Sequence, residues 1–414
     1  MTLYEEGDVS TSPVNEGLNR RLAGELAEMH EQGVFKHLQH ICGAQGPVVD
    51  LEGFGETVNL CSNNYIGLCD VPEVIAGVRE GADKYGAGTS SVRFICGTFD
   101  VHRELEDRIA DFLETEAAIT YTSCWNANGG LFAPLLDEKD ALISDELNHA
   151  SIIDGIRLCK AQRHIYRHMD MDSLREALEN SQTARHRLVM TDGVFSMEGE
   201  IAPLPEIREL CDRYDAIMTI DDSHATGVLG DTGRGTPEHF GMHGEIDIIT
   251  STLGKALGGM AGGFVASSRE VIEYLVQRSR TQLFTNAIPP HSAAGALAAI
   301  DHLEAHPELV TRLRENTAYF REKLTALGYK PIEGDTPIVP VIVGETADAI
   351  ALSTRLLDEG VFVIGFGFPV VPHGSARIRS QISAAHTREH LDLSLIHISE
   401  PTRPFTLSRM PSSA

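Results

Sequence analysis

The chain carries little that would tie it to a membrane, a metal or a disulfide framework. Its seven cysteines are an odd number scattered over 414 residues. None is spaced as C-x-x-C, so neither a disulfide scaffold nor a structural zinc site is indicated, and a reducing compartment is expected. His37 with His40 and His164 with His168 have ligand-like spacing. No H-E-x-x-H motif or third ligand accompanies them, so no metal is expected. No apolar run approaches the ~20 residues of a membrane helix. The opening stretch Met1-Thr2-Leu3-Tyr4-Glu5-Glu6 is acidic and lacks both the apolar core of a signal peptide and the arginines of a transit peptide, which predicts a cytoplasmic protein. Basic residues are also scarce. Against 60 Asp and Glu there are 34 Lys and Arg, a net charge of -26 that argues against nucleic acid or anionic membrane as a partner. Internal repeats and low-complexity linkers are absent.

What is present is ordinary globular composition, 42% hydrophobic, in a chain long enough for two or three domains. Short apolar runs at 141–144, 187–191, 217–221 and 246–250 alternate with amphipathic stretches such as 205–214. This spacing predicts a mostly parallel, doubly wound α/β sheet. From Pro307 the pattern changes to a helical face of Leu309, Leu313, Phe320 and Leu324, a strand over 338–343 and a helix near 347–359, a smaller α+β domain. We therefore expect an N-terminal segment 1–55, a large domain 56–295 and a small domain 296–392.

Lys255 is the residue best placed for chemistry. It stands in Thr252-Leu253-Gly254-Lys255-Ala256-Leu257-Gly258-Gly259, after a buried-strand pattern. Small apolar neighbours let a flat ring approach and desolvate the amine, as Schiff-base chemistry requires. A nucleotide P-loop is excluded, since Ile249 occupies the place of its first glycine and Ala256 that of its hydroxyl residue. Upstream, 216–221 reads as a strand ending in Asp221, an acid able to keep a pyridinium nitrogen protonated. Pyridoxal phosphate is the cofactor these two residues suit. Ser196, Asp221 and Lys255 fall at or beyond strand carboxyl ends, the edge where open α/β sheets bind ligands.

Between about Leu18 and Asp392 the chain resembles the α-oxoamine synthases among the fold-type I pyridoxal-phosphate enzymes. The likeness is carried by Leu60-Cys61-Ser62-Asn63-Asn64-Tyr65, Gly88 through Thr98, Ser144 through Gly155, Thr191 through Met197 and Ala376-Arg377-Ile378-Arg379-Ser380-Gln381. It implies a fold-type I transferase acting on an amino acid and an acyl-CoA. Outside the catalytic core, Val92 through Thr98 and Ser123 through Asn128 favour the glycine and acetyl-CoA branch. Its product is 2-amino-3-oxobutyrate with CoA, and the reverse cleavage belongs to threonine degradation. Alternatives are alanine with pimeloyl-CoA, serine with palmitoyl-CoA, glycine with succinyl-CoA, or a silent cofactor-binding scaffold. A homodimer with its active site at the subunit interface is also implied.

Residue by residue, the resemblance makes Lys255 the cofactor lysine and proton-removing base, Asp221 the pyridinium partner, and His224 a catalytic group near the cofactor's phenolic oxygen. His149 would stack on the ring and Ser196 would donate to the phenolic oxygen. Cys124 and Trp125 would offer main-chain N–H groups to the phosphate at a helix start, with the Trp125 side chain in the core. Thr252 would also bind the phosphate, and Thr285 would reach that of the neighbouring subunit. Arg379 would bind the substrate carboxylate with help from Asn63, although alternation puts Arg377 on the same strand face and spacing alone does not choose between them. Anionic CoA needs a local basic cluster, for which Arg20-Arg21 and Arg278-Ser279-Arg280 are candidates. Finally, 393–414 departs from the family, with Pro401 and Pro404 barring a helix. It is expected to be a non-native, poorly packed tail.

Overall fold

The structure, a computed structural model, describes residues 15–368 and 370–399. An exposed helix, Glu16–Glu31, leads into the hairpin of β1 (Val48–Leu51) and β2 (Gly55–Asn59). There follow β3 (Ala117–Tyr121), β4 (Ala141–Asp145), β5 (Gln162–Tyr166), β6 (Arg187–Asp192), β7 (Ile217–Asp221), β8 (Ile248–Thr252) and β9 (Gly263–Ser267). Within the described residues these form a seven-stranded sheet in the order β3-β9-β8-β7-β6-β4-β5. The pairs from β8 across to β5 are parallel, and β9 runs antiparallel to both its neighbours. This is the expected α/β, mostly parallel sheet.

Alternation along the central strands builds two cores. Leu142, Leu188, Met190, Ile248 and Val265 face one side, against the helices Cys124–Leu135 and Ala150–Leu158. Ile143, Val189, Met218, Ile220, Ile249 and Phe264 face the other, against Leu204–Arg213 and Pro290–Ala305. Both faces are covered, so these strands read as continuous apolar runs. Their carboxyl ends are in register, Asp192 opposite Asp221 and Asp221 opposite Thr250, and form one edge for a site.

The second layer follows the helix Glu308–Ala326. It contains β10 (Ile338–Gly344), β11 (Val361–Phe362), β12 (Ile364–Phe366) and β13 (Ala376–Gln381), with an antiparallel sheet ordered β10-β13-β12. β11 pairs in parallel with β2. The N-terminal hairpin is therefore built onto the C-terminal part of the chain, and the boundary expected at 55/56 falls at the first residue of β2. The one expected at 295/296 falls inside Pro290–Ala305.

One expectation is corrected for residues 393–399. The last described helix runs Arg388–Ser399, past the point where packing was expected to fail. Leu391, Leu395 and Ile398 are buried, and Tyr329 Oη donates to the Ile398 carbonyl at 2.7 Å. Their 4- and 3-residue spacing is an apolar face, which the exposed apolar residues Leu393 and Ile396 between them blur in the sequence. Pro401 and Pro404 and the rest of the expected tail lie outside the described residues.

Candidate active site

The carboxyl edge of the sheet opens on a cavity of about 210 Å³ that brings together most of the anticipated residues. Lys255, Asp221, His224 and Thr252 line it from the β7 and β8 ends. Cys124 and Trp125 enter from a helix start, and His149 and Ser196 from the β4 and β6 ends. Gly263 permits the helix start to come this close, since a Cβ there would lie 2.2 Å from the Cys124 nitrogen.

Asp221 is held from three directions. The Asn128 side-chain amide donates to it at 2.6 Å, the Ser223 amide at 3.0 Å and the Cys124 thiol at 3.5 Å. Burial raises the Cys124 thiol well above its usual pKa, so it remains a donor. Cys124 thus contributes its side chain as well as the helix-start N–H expected of it. Asn128, fully buried, also donates to Ser151 Oγ at 2.9 Å and accepts from Thr250 Oγ1 at 2.9 Å. Gly155 lets the next helix press onto this turn, because a Cβ there would meet the Asn128 carbonyl at 2.5 Å.

Lys255 stands in the turn after β8, where its carbonyl accepts from the Gly259 amide at 3.1 Å and its side-chain amine has no hydrogen bond or ion pair among the described residues. Burial lowers its pKa, while the charge of Asp221 acts in the opposite direction. Asp192, beside Asp221 in the sheet, is pushed well up by burial and by its neighbour's charge, and accepts from the His149 main-chain N–H at 3.0 Å. His149 caps the helix Ala150–Leu158 and meets Trp125 edge-on, ring centroids 6.0 Å apart. Trp125 is 47% exposed, which corrects its expected place in the core. Its indole sits at the cavity wall.

His224 is buried, its Nδ1 2.8 Å from Tyr65 Oη. Burial and the positive charges of Lys255 and Arg379 drive its pKa well below 6.5, so the ring is neutral. Ser123 caps the helix Cys124–Leu135 by accepting from the Asn126 amide at 3.1 Å. Thr252 Oγ1 accepts from the Gly254 amide at 3.0 Å and donates to the Gly262 carbonyl at 3.2 Å, fixing the turn that carries Lys255.

The two arginines of β13 separate cleanly. Arg377 is committed to Glu198 at 3.0 Å and to the Met197 carbonyl at 2.9 Å. Arg379 is equally buried, donates to the Ser196 carbonyl at 2.9 Å and lies over the Phe366 ring at 4.6 Å, with no carboxylate partner among the described residues. A guanidinium only donates. The Gln381 carboxamide therefore turns its oxygen to Arg379, accepting from Nε and Nη2 at 3.2 Å each, and its NH2 group lies 3.2 Å from Tyr65 Oη. The Asn63 carboxamide lies 3.1 Å from the same Gln381 oxygen and must turn its NH2 group toward it.

Thr285 is not brought to the cavity. It borders a separate small crevice with Thr120, Tyr121 and Thr281. Arg21 is spent on an exposed pair with Glu25, whereas Arg278 and Arg280 are exposed and make no ion pair among the described residues. Asn128, Asp192, Ser223, Tyr65 and Gln381 had no role assigned from sequence. Tyr65 and Gln381 stand inside motifs that carried the family resemblance, and that was the available signal.

The residues present fit a pyridoxal-phosphate group. Ser223 Oγ is buried at the cavity without a partner among the described residues, the lysine amine is unpaired, and a capped helix start offers free N–H groups to an anion. No helix of the described residues is long and apolar enough to cross a membrane.

Comparison with known proteins agrees with this geometry. The model of the aminotransferase class I and II family matches residues 55–398. The chain is 47% identical over 374 residues to the 2-amino-3-ketobutyrate coenzyme A ligase of Escherichia coli K12, covering 90% of this chain and 94% of that one. It is also 47% identical over 374 residues to 8-amino-7-oxononanoate synthase 1 of Bacillus velezensis, covering 90% and 95%. The human mitochondrial 2-amino-3-ketobutyrate coenzyme A ligase is 48% identical, covering 90% and 89%. Among solved structures, the serine palmitoyltransferase of S. paucimobilis, with a bound adduct of pyridoxal phosphate and myriocin, superposes with a TM-score of 0.89 at 30% identity, covering 94% and 99%. The chain belongs to the aminotransferase class I and II family, in its α-oxoamine synthase branch.

Proposed function

We propose that this protein is a pyridoxal-phosphate-dependent glycine C-acetyltransferase that joins glycine and acetyl-CoA to give 2-amino-3-oxobutyrate and CoA, or runs that reaction backward. The observation that carries the reading is the convergence on one cavity of an unpaired buried lysine, a triply held aspartate and, joined through Ser196, an arginine without a carboxylate partner. The cofactor would supply an electron sink for the carbanion at the amino acid's Cα. Lys255 would carry it, with Asp221 at its ring nitrogen, His149 against its face and Ser196 near its phenolic oxygen. The helix start at Cys124 and Trp125, with Thr252, would hold its phosphate.

This chain's residues then divide the work. Arg379, assisted by Asn63, grips the glycine carboxylate. Lys255, its pKa lowered by burial, takes the Cα proton. His224 meets the thioester carbonyl. A bond forms between Cα and the acetyl carbon, the carbon–sulfur bond breaks, and CoA leaves as the thiol once protonated. Arg278 and Arg280 remain available to the anionic CoA.

A homodimer is part of the proposal. Leu18, Leu22, Leu26 and Met29 make an exposed apolar stripe on Glu16–Glu31, Phe94 and Ile95 are exposed nearby in sequence to Arg93, and Thr285 lies away from its own chain's cavity. A cytoplasmic location is proposed from the free cysteines. The second reading is 8-amino-7-oxononanoate synthase activity, favoured by the equal identity to the Bacillus velezensis relative. Release of CoA thiol, measured in parallel with glycine and acetyl-CoA and with alanine and pimeloyl-CoA, tests both. Preference for the second pair would overturn the first reading.

A further inference from the structure

We propose that Gln381 and Tyr65 form a one-way hydrogen-bond chain from Arg379 to His224, which fixes His224 in the tautomer that carries its proton on Nε2. The polarity follows from donor inventory alone. Arg379 has only N–H groups to offer, so the Gln381 oxygen must face it, at 3.2 Å from both Nε and Nη2. The Gln381 NH2 group is thereby turned to Tyr65 Oη, also at 3.2 Å. With a lone pair of Tyr65 so occupied, its single proton has the Gln381 oxygen at 3.3 Å and His224 Nδ1 at 2.8 Å within reach, and the shorter distance directs it to His224. Burial raises the Tyr65 pKa, so the phenol keeps that proton. A neutral imidazole whose Nδ1 accepts must hold its own proton on Nε2.

Tyr65 is fully buried and His224 nearly so, and no other described residue is hydrogen-bonded to Nδ1. The chain therefore sets both the tautomer and the ring orientation. Its consequence at the cavity is a donor, not an acceptor, in the position proposed to meet the thioester carbonyl. Tyr65 and Gln381 are positioning residues in this scheme. It also links two sites, because an anion on Arg379 orders the guanidinium from which the polarity begins.

The inference deepens the proposed reaction and rests on it for the catalytic consequence only. The tautomer is read independently, by 15N NMR of the imidazole nitrogens in 15N-histidine-labelled holoenzyme, with His224 assigned by its loss in His224→Asn. The expected wild-type spectrum has an unprotonated Nδ1 and a protonated Nε2. In Tyr65→Phe, which retains the buried ring, the signals should move toward a tautomer mixture, and Gln381→Leu should move them the same way. Tyr65→Phe should lower kcat by about tenfold, the worth of one hydrogen bond of ~1.4 kcal/mol, with KM for glycine within about threefold. A wild-type proton on Nδ1, or an unchanged His224 spectrum in both variants, overturns the chain. Absence of glycine-dependent turnover in the wild type would instead sink the proposed reaction and leave the spectroscopic result standing.

Discussion

Replacing Arg379 with lysine isolates the carboxylate fork from its charge. Of five guanidinium N–H donors, one is spent on the Ser196 carbonyl, and Nε and Nη2 each give one to Gln381. One hydrogen on Nη1 and one on Nη2 remain, a pair able to meet both oxygens of a carboxylate. Two charge-assisted hydrogen bonds at ~1.5–3 kcal/mol each would be worth about 3–6 kcal/mol together. Lysine retains the point charge and one bond, so about half is lost. At ~1.4 kcal/mol per tenfold, kcat/KM for glycine should fall by about 10- to 10²-fold, mostly through KM. Initial rates across a glycine series at saturating acetyl-CoA measure this. Arg377→Lys is the matched control. It disturbs the pair with Glu198 at 3.0 Å, so it should cost stability more than glycine affinity. A change below threefold in Arg379→Lys, or a larger rise in glycine KM in Arg377→Lys with the fold intact, would refute the assignment.

Further outcomes are expected. The purified protein should be yellow, and Lys255→Ala should lose turnover by about 10³-fold or more, read by CoA release, because the proton-removing base is gone. Asp221→Asn should retain cofactor absorbance while turnover drops about 10²-fold or more, since an amide gives the ring nitrogen no anion. For His168, burial opposes protonation, but hydrogen bonds to Asp145 at 3.0 Å and Glu200 at 3.1 Å outweigh it and raise the pKa from 6.5 to about 9. That stabilisation, on the order of 2–3 kcal/mol, is full below about pH 6.5 and is lost as pH rises through about 9. Melting temperatures between about pH 6 and 10 should show the loss in wild type and a flatter profile in His168→Gln. Leu395→Ala should cost about 2–5 kcal/mol in stability, whereas Ile396→Ala, on the exposed side of the same helix, should cost little; thermal melts of the pair decide it.

The sequence by itself determined the sheet and the chemistry at its edge. Strands buried on both faces must be apolar throughout, so β4, β6 and β7 were legible as runs, and a lysine or aspartate just beyond such a run has no packing reason to be there. Lys255, Asp221 and Ser196 were readable for that reason, whereas His224 and His149 were legible only through the family resemblance. What the sequence did not determine lay in contacts between distant parts of the chain. The pairing of β11 with β2 brings residues 361 and 58 together, and nothing local to either strand announces it. Trp125 looked like core because it is large and apolar, yet it lines an open cavity, and the buried face of the helix Arg388–Ser399 was blurred by the exposed apolar residues Leu393 and Ile396. Arg377 and Arg379 have the same local pattern. The family resemblance favoured Arg379 where spacing did not, and the fold separates the two by placing Glu198 beside one and leaving the other with a carbonyl and an amide. His224 and Gln381 lie 159 and 316 positions from Tyr65 along the chain. Hydrogen-bond polarity depends on which donors and acceptors are within about 3 Å of each other, and tertiary structure alone sets that distance.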